Sequence, residues 1–282
     1  MWEYSVTSLT ENIWQSLRIR ILIAHVLLNR IVSRSGTRRN NLDYANPNED
    51  YLIVDDKIKV YIICDGVTRN LIDGSYPEPS PSYLAARTFA ESVYRKLLLN
   101  SCSSNPFQIL IDGVIWGNCR IAQLNSEKIK SRQKILPGTV GTVAQIIEDK
   151  IYYVYLGDCS IWRFRYNKAE RITNSQTEKI KQHNLVALSN IREDLYNNPK
   201  NPLGYGVLTG EEESLCFLQK ACTQIQIGDV LMLTTDGMDL IFQSDNLIKD
   251  KDPNTLIDYA EKLEMDRNIT SDDKSIIILS QA

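Results

Sequence analysis

The sequence predicts an α+β layered fold, with helices covering the outer faces of packed sheets. Short β-branched runs at 51–64 and 142–165 are separated by polar turns, as in antiparallel hairpins. Two long amphipathic stretches lie between them, and strands return from about residue 215. The order, strands, two long helices, then strands with a late helix, suggests that layered fold.

Residues 8–32 read as one helix, with Ser8 or Thr10 as N-cap. Its apolar stretch, Ile19 to Val32, is broken by Arg20, His25, Asn29 and Arg30. It therefore falls short of the ~20 apolar residues of a membrane span. Arg30 and Arg34 follow the apolar core rather than precede it, unlike a signal peptide. A helix packed on the body is the expectation, and a basic amphipathic membrane-surface helix is the alternative. Residues 1–33 form the expected N-terminal helical extension, which covers an edge or docks a partner protein, and 34–282 form the expected main domain.

Residues 33–49 are polar and aperiodic and read as loop. Strands follow at Tyr51–Val54 and Ile58–Cys64, joined by Asp55-Asp56-Lys57, with the mixed period of strands buried on both faces. Residues 66–81 hold Gly, Ser and three prolines, a loop of the kind that carries function. A helix starts at Pro81 or Ser82 and runs to about Asn100, with Leu84, Ala85, Phe89, Val93 and Leu97 on one face. A second helical stretch covers about 106–130. Thr142–Ile147, Ile151–Leu156 and Ser160–Arg165 are strands, the first two joined at Glu148-Asp149-Lys150. Residues 174–213 read as a variable insertion with a short helix near 176–183. Strands are expected at about 215–218, 223–226 and 230–235, then a short helix after Asp236, a helix at about 254–265 and a last strand, Ser275–Ser280.

A chain of 282 residues is one large domain or two small ones. With 43% hydrophobic and 24% charged residues it has the composition of a soluble globular protein. A net charge of −3 gives no argument for nucleic acid as a partner. The six cysteines form no CxxC pair, so buried free thiols in a reducing, cytoplasmic compartment are expected. No GxxxxGK phosphate loop and no GxSxG elbow is present.

Chemistry concentrates in short acidic motifs at the ends of apolar runs: Asn48-Glu49-Asp50, Asp65-Gly66, Gly157-Asp158, Asp236-Gly237 and Asp272-Asp273. Each alone is equally a turn or a solvated loop. Together, with only two histidines and no cysteine spacing, they suggest a hard-metal site, because Mg²⁺ and Mn²⁺ take oxygen ligands. The glycine after Asp65 and Asp236 lets the chain turn sharply and frees its carbonyl to ligate.

In order and spacing this set resembles the metal-dependent protein phosphatases of type 2C, particularly the bacterial members. Their N-E-D, D-G-x-G-G, G-T-T-A, G-D-S-R, S-D-G and D-N segments are matched by short stretches of this chain. These are Asn48-Glu49-Asp50, Asp65-Gly66-Val67-Thr68, Gly141-Thr142-Val143-Ala144, Gly157-Asp158-Cys159-Ser160, Thr235-Asp236-Gly237 and Asp272-Asp273-Lys274-Ser275. Gly204 to Gly210 sits where bacterial relatives pass from flap to core. The resemblance spans roughly 34–280, and 174–213 corresponds to the family's variable flap.

The resemblance implies a four-layer α-β-β-α sandwich with two antiparallel sheets. It implies two Mn²⁺ or Mg²⁺ ions and a weak third. Asp65 would bridge the pair, the Gly66 carbonyl would bind one ion, and Asp236 and Asp272 would complete its shell. Glu49 would serve the second ion with Asp50 close by, and Asp158 would belong to the third site. Asp65 and Asp236 are thereby the implied catalytic acids. The implied activity is phosphoserine/phosphothreonine phosphatase on a phosphoprotein, by in-line attack of metal-activated water. Departures are Ala45 at the family's phosphate-binding Arg position, Val67 for a His of eukaryotic members, Thr68 and Arg69 for glycines, and Leu240 for an Asp. Arg38, Arg39 and Arg69 are the candidate replacements for phosphate binding. The alternative is a catalytically impaired member acting as a regulatory or phosphopeptide-binding protein, or a hydrolase of another phosphoester.

Overall fold

The computed structural model describes residues 31–40, 47–67, 77–99, 105–131, 136–166, 168–178, 180, 194–243, 252–269 and 272–281. The expected N-terminal helix before Ile31, Arg69, and most of the short helix near 176–183 lie outside them.

The first described element corrects the loop expected at 33–49. Strand β1 (Ile31–Arg38) pairs antiparallel with the last strand over its whole length. It was illegible because Ser33, Arg34, Ser35, Thr37 and Arg38 make it polar, as suits a strand at a sheet edge. Then come β2 (Tyr51–Asp55) and β3 (Val60–Gly66), a hairpin. In its turn the Asp55 carboxylate accepts from the Lys57 amide at 2.8 Å, and Lys59 takes a positive φ of 55°. β3 is buried throughout, whereas β2 is only half-buried, so the two-faced burial expected of both holds for β3 alone.

Helix α1 (Pro81–Leu99) starts with Pro at its first position, and the Ser80 hydroxyl accepts from the Tyr83 amide at 3.0 Å. Helix α2 (Pro106–Leu124) repeats the device with Asn105 as N-cap. The single stretch expected over 106–130 breaks at Asn125, and α3 (Ser126–Lys130) is a separate short helix. β4 (Thr139–Ile147), β5 (Lys150–Leu156) and β6 (Ser160–Arg165) follow as expected, and β7 (Lys168–Arg171) is a polar strand the pattern did not reveal. The strands expected at 215–218 and 223–226 are instead a 3₁₀ turn, Glu212–Phe217, and one strand, β8 (Gln219–Gln224). β9 (Val230–Thr234), a 3₁₀ segment (Asp236–Gln243), helix α4 (Pro253–Arg267) and β10 (Lys274–Gln281) complete the chain.

Two five-stranded antiparallel sheets result, ordered β1-β10-β9-β6-β7 and β2-β3-β4-β5-β8. Helices α1 and α2 pack on the second sheet and on each other, while α4 packs on β1 and β10 of the first. The expected four-layer α-β-β-α architecture is therefore present. Alternation along β10 shows the layering: Ile277 and Leu279 join the main core, whereas Ile276 and Ile278 join a second cluster with Leu256, Ile257 and Ala260 of α4. The cysteine expectation holds only in part. Cys64 and Cys159 are buried, but Cys119, Cys216 and Cys222 are free and exposed. No described helix is long and apolar enough to cross a membrane.

Candidate metal centre

Antiparallel pairing brings the acidic motifs to one end of the sandwich. β3 ends at Asp65-Gly66 where β2 begins after Glu49-Asp50, since Tyr51 faces Cys64. β9 ends before Asp236 where β10 begins after Asp272-Asp273 and β6 begins after Asp158. Strand ends thus do the gathering, and no motif needs a neighbour in sequence.

The glycines hold these segments together, but not by the sharp turn expected of them. Gly66 and Gly237 do not take positive φ. A Cβ on Gly66 would lie 2.7 Å from the Glu49 carbonyl oxygen. One on Gly237 would lie 2.1 Å from the carbonyl oxygen of Asp273. Each glycine lets one acidic segment press against another. Gly157 is different: its φ of +88° does suit only glycine.

Hydrogen bonds then fix the carboxylates. Asp273 is a strap: Oδ1 accepts from the Asn40 amide at 2.8 Å and Oδ2 from the Glu49 amide at 2.7 Å. The Thr235 hydroxyl donates to Asp50 Oδ2 at 3.0 Å and accepts from the Ser275 amide at 3.0 Å. Ser80, while capping α1, donates its hydroxyl to Glu49 Oε1. Asp158 Oδ2 accepts from Thr177 at 2.8 Å, and the Asp158 carbonyl accepts from Arg171 at 3.1 Å. The Thr139 hydroxyl donates to the Asp65 carbonyl at 2.7 Å. In the sequence Asp273 and Thr235 stood only as neighbours of Asp272 and Asp236 in their motifs, with no role of their own, and Ser80 was not singled out. A capping Ser before Pro81 and a Thr before Asp-Gly are their only local signals.

Electrostatics confirm the gathering. Burial, then the charges of Asp50, Asp272, Asp236 and Asp158, push the Asp65 carboxyl well above the usual range. Burial and Asp273 do the same to Asp50. Burial and Asp236 raise Asp272 to about 7. The Cys64 and Cys159 thiols beside them are also pushed up, chiefly by burial, and have no thiolate character there.

Of the expected site residues, Asp50, Asp158, Asp236 and Asp272 therefore stand within electrostatic reach of Asp65, with Glu49 acting on Asp272 and Gly66 against Glu49. Arg38 is not part of the site. It is committed to Asp258 at 2.5 Å and Glu261 at 3.1 Å on α4. This corrects its expected phosphate-binding role, because a guanidinium held by two carboxylates is not offered to an anion. Arg39 points its charge at the site instead, where it draws the Asp273 carboxyl down against the larger effect of burial.

An all-oxygen set of mutually repelling carboxylates, with Glu49, Asp50 and Asp65 buried, Asp158 and Asp236 half-buried and Asp272 exposed, fits a hard divalent cation in kind. Among the described residues, no three acidic, histidine or cysteine side chains converge into a ready-made cage.

No family model matches the sequence, and no curated protein matches it. Solved structures do share its fold. The catalytic domain of the serine/threonine protein phosphatase PstP, in complex with two manganese ions, aligns with a TM-score of 0.62 at 15% identity, covering 89% of this chain and 97% of that one. PppA, a key regulatory component of T6SS in Pseudomonas aeruginosa, aligns with a TM-score of 0.64 at 14% identity over 89% and 98%. The PPM Ser-Thr phosphatase MsPP from Mycobacterium smegmatis, in complex with cacodylate, aligns with a TM-score of 0.61 at 14% identity over the same shares. The chain has the fold of the bacterial PPM-type, or type 2C, serine/threonine phosphatases.

Proposed function

We propose that this protein is a metal-dependent protein serine/threonine phosphatase acting on a phosphoprotein. The observation that carries the reading is the electrostatic coupling of Asp65 to Asp50, Asp272, Asp236 and Asp158, acids from separate segments that the fold gathers around the buried Asp50 and Asp65. Burying like charges costs stability, and a structural role alone gives no return for it. The fold shared with a manganese-bound phosphatase supports the same reading.

Glu49, Asp50, Asp65, Asp236 and Asp272, with the Gly66 carbonyl, would hold Mn²⁺ or Mg²⁺, and Asp158 a third ion. Such ions, when bound, neutralise a phosphomonoester dianion and make water acidic enough to attack phosphorus near neutral pH. The chain's own work is positional. Asp273 straps the Glu49 amide, Ser80 holds the Glu49 carboxylate at the N-terminus of α1, and Thr235 holds Asp50. The Asp272 carboxyl, raised to about 7, would release its proton as a cation arrives, so metal uptake acidifies the medium. Arg39 would meet a substrate phosphoryl oxygen in place of the Arg replaced by Ala45.

A regulatory reading is favoured by the departures from the resembled motifs, Ala45 at the phosphate-binding Arg position and Thr68 and Arg69 for glycines. Hydrolysis of p-nitrophenyl phosphate separates the two. Wild type should turn over with Mn²⁺ and not with EDTA, and Asp65→Asn should lose more than about 100-fold, exceeding the loss typical of ligand-orienting residues. Metal binding without turnover on this ester or on phosphopeptides would favour the regulatory reading. Preference for a small phosphoester over phosphopeptides would redirect the substrate class.

A further inference from the structure

The second buried charge system lies behind the carboxylates. Lys274 Nζ meets Glu264 Oε2 at 2.9 Å, with side chains 0% and 1% exposed. Both residues stand where an apolar side chain is expected. On α4 the buried stripe runs Leu256, Ile257, Ala260 and then Glu264. On β10 the face turned to that helix runs Ile278, Ile276 and then Lys274. The apolar interface between helix and sheet thus ends in an ion pair at matched positions on both partners.

Such a pair is seldom kept for stability. Desolvating two charges offsets their attraction, and a well-packed apolar pair of similar volume is often as stable. What an apolar pair would not supply is the third contact: Lys274 Nζ also donates to the Asp272 carbonyl at 3.1 Å. The pairing of β1 with β10 stops at Arg38 opposite Lys274. The segment entering β10 is otherwise held by the Asp273 carboxylate and by the close contact of Gly237. The ammonium thus holds the main chain of Asp272, and Glu264 holds the ammonium.

We propose that the Lys274–Glu264 pair is a positioning device that ties α4 to the Asp272 main chain and sets that carboxylate for cation binding. This rests on the metal-binding reading above. The two residues are positioning residues and touch neither substrate nor cation.

The test is Mn²⁺ affinity by calorimetry, beside thermal melts without metal, for wild type, the double variant Lys274→Met/Glu264→Leu, and Glu264→Gln. The double variant replaces the pair by apolar groups and should melt near wild type, yet bind Mn²⁺ at least ten-fold more weakly. Loss of affinity without loss of melting temperature is a result that a purely structural pair does not produce. A folded double variant with wild-type affinity overturns the proposal and leaves the metal reading intact. Should the double variant fail to fold, Glu264→Gln decides: weaker binding supports the device, and unchanged binding overturns it. Wild type that binds no Mn²⁺ overturns the metal reading, and the device with it.

Discussion

Two groups of charged side chains meet at the entry to β10, and the protein treats them in opposite ways. Lys274 and Glu264 neutralise each other within 2.9 Å inside an apolar helix–sheet interface. Asp50 and Asp65 are buried among their own kind with the exposed Asp272 beside them, and all three carboxyls are pushed up by desolvation and by neighbouring acids. One group is complete within the chain. The other carries a charge deficit that protons fill in the protein alone and that cations would fill in a working centre. The contrast locates binding capacity where compensation is missing, rather than wherever charge is buried.

The sharpest break of that contrast is Glu264→Ala, which leaves a buried ammonium without its partner. Thermal or urea unfolding should show a loss of roughly 3–5 kcal/mol. A loss under about 1 kcal/mol would mean that the interface opens to water and that the pair is not buried in solution. Gly237→Ala acts between the two groups without altering a charge. Its Cβ meets the Asp273 carbonyl oxygen at 2.1 Å, so the entry to β10 must move, at a cost of roughly 1–3 kcal/mol and with weakened Mn²⁺ binding. Unaltered stability and binding would show that close approach does not set the site.

Removing a like charge should have the opposite sign. Asp65→Asn should raise the metal-free melting temperature, by roughly 0.5–2 kcal/mol of stability, while removing the stabilisation that Mn²⁺ gives wild type. A destabilised metal-free variant would count against mutual repulsion as the dominant force. The smallest effect is in pH. Asp272 has a folded value of about 7 against roughly 3.9 for a free Asp side chain. Its folded form therefore holds a proton that the unfolded chain has already lost. The stability this contributes is complete below about pH 4 and is lost as pH rises through about 7. Metal-free wild type should melt lower at about pH 8 than at about pH 5, and Asp272→Asn should flatten that difference. Equal slopes in the two proteins would remove Asp272 from the titrating set.

The order of elements and the acids themselves could be read from the chain without its structure. Central strands such as β3, β4 and β9 are long apolar runs because they are covered on both faces, and burial is what hydrophobic pattern encodes. Helix starts near Pro81 and Pro106 were legible for a similarly local reason, a Pro suited to the first helical position, while the caps Ser80, Asn105 and Asp252 emerged only from the structure. Three of the four edge strands were not legible, β2 being the exception. β1 and β7, at the two margins of one sheet, and β8, at the margin of the other, are polar or alternate weakly, and pairing with a remote neighbour makes them strands. The same holds in the site. Composition and motif spacing named Glu49, Asp65, Asp236 and Asp272. Only the assembled sheets separated Arg38, taken by α4, from Arg39, turned to the acids, and set Asp273, Ser80 and Lys274 behind the groups they hold. Charge type is a property of a residue, whereas compensation is a property of its neighbours, and those neighbours are brought together only by tertiary packing.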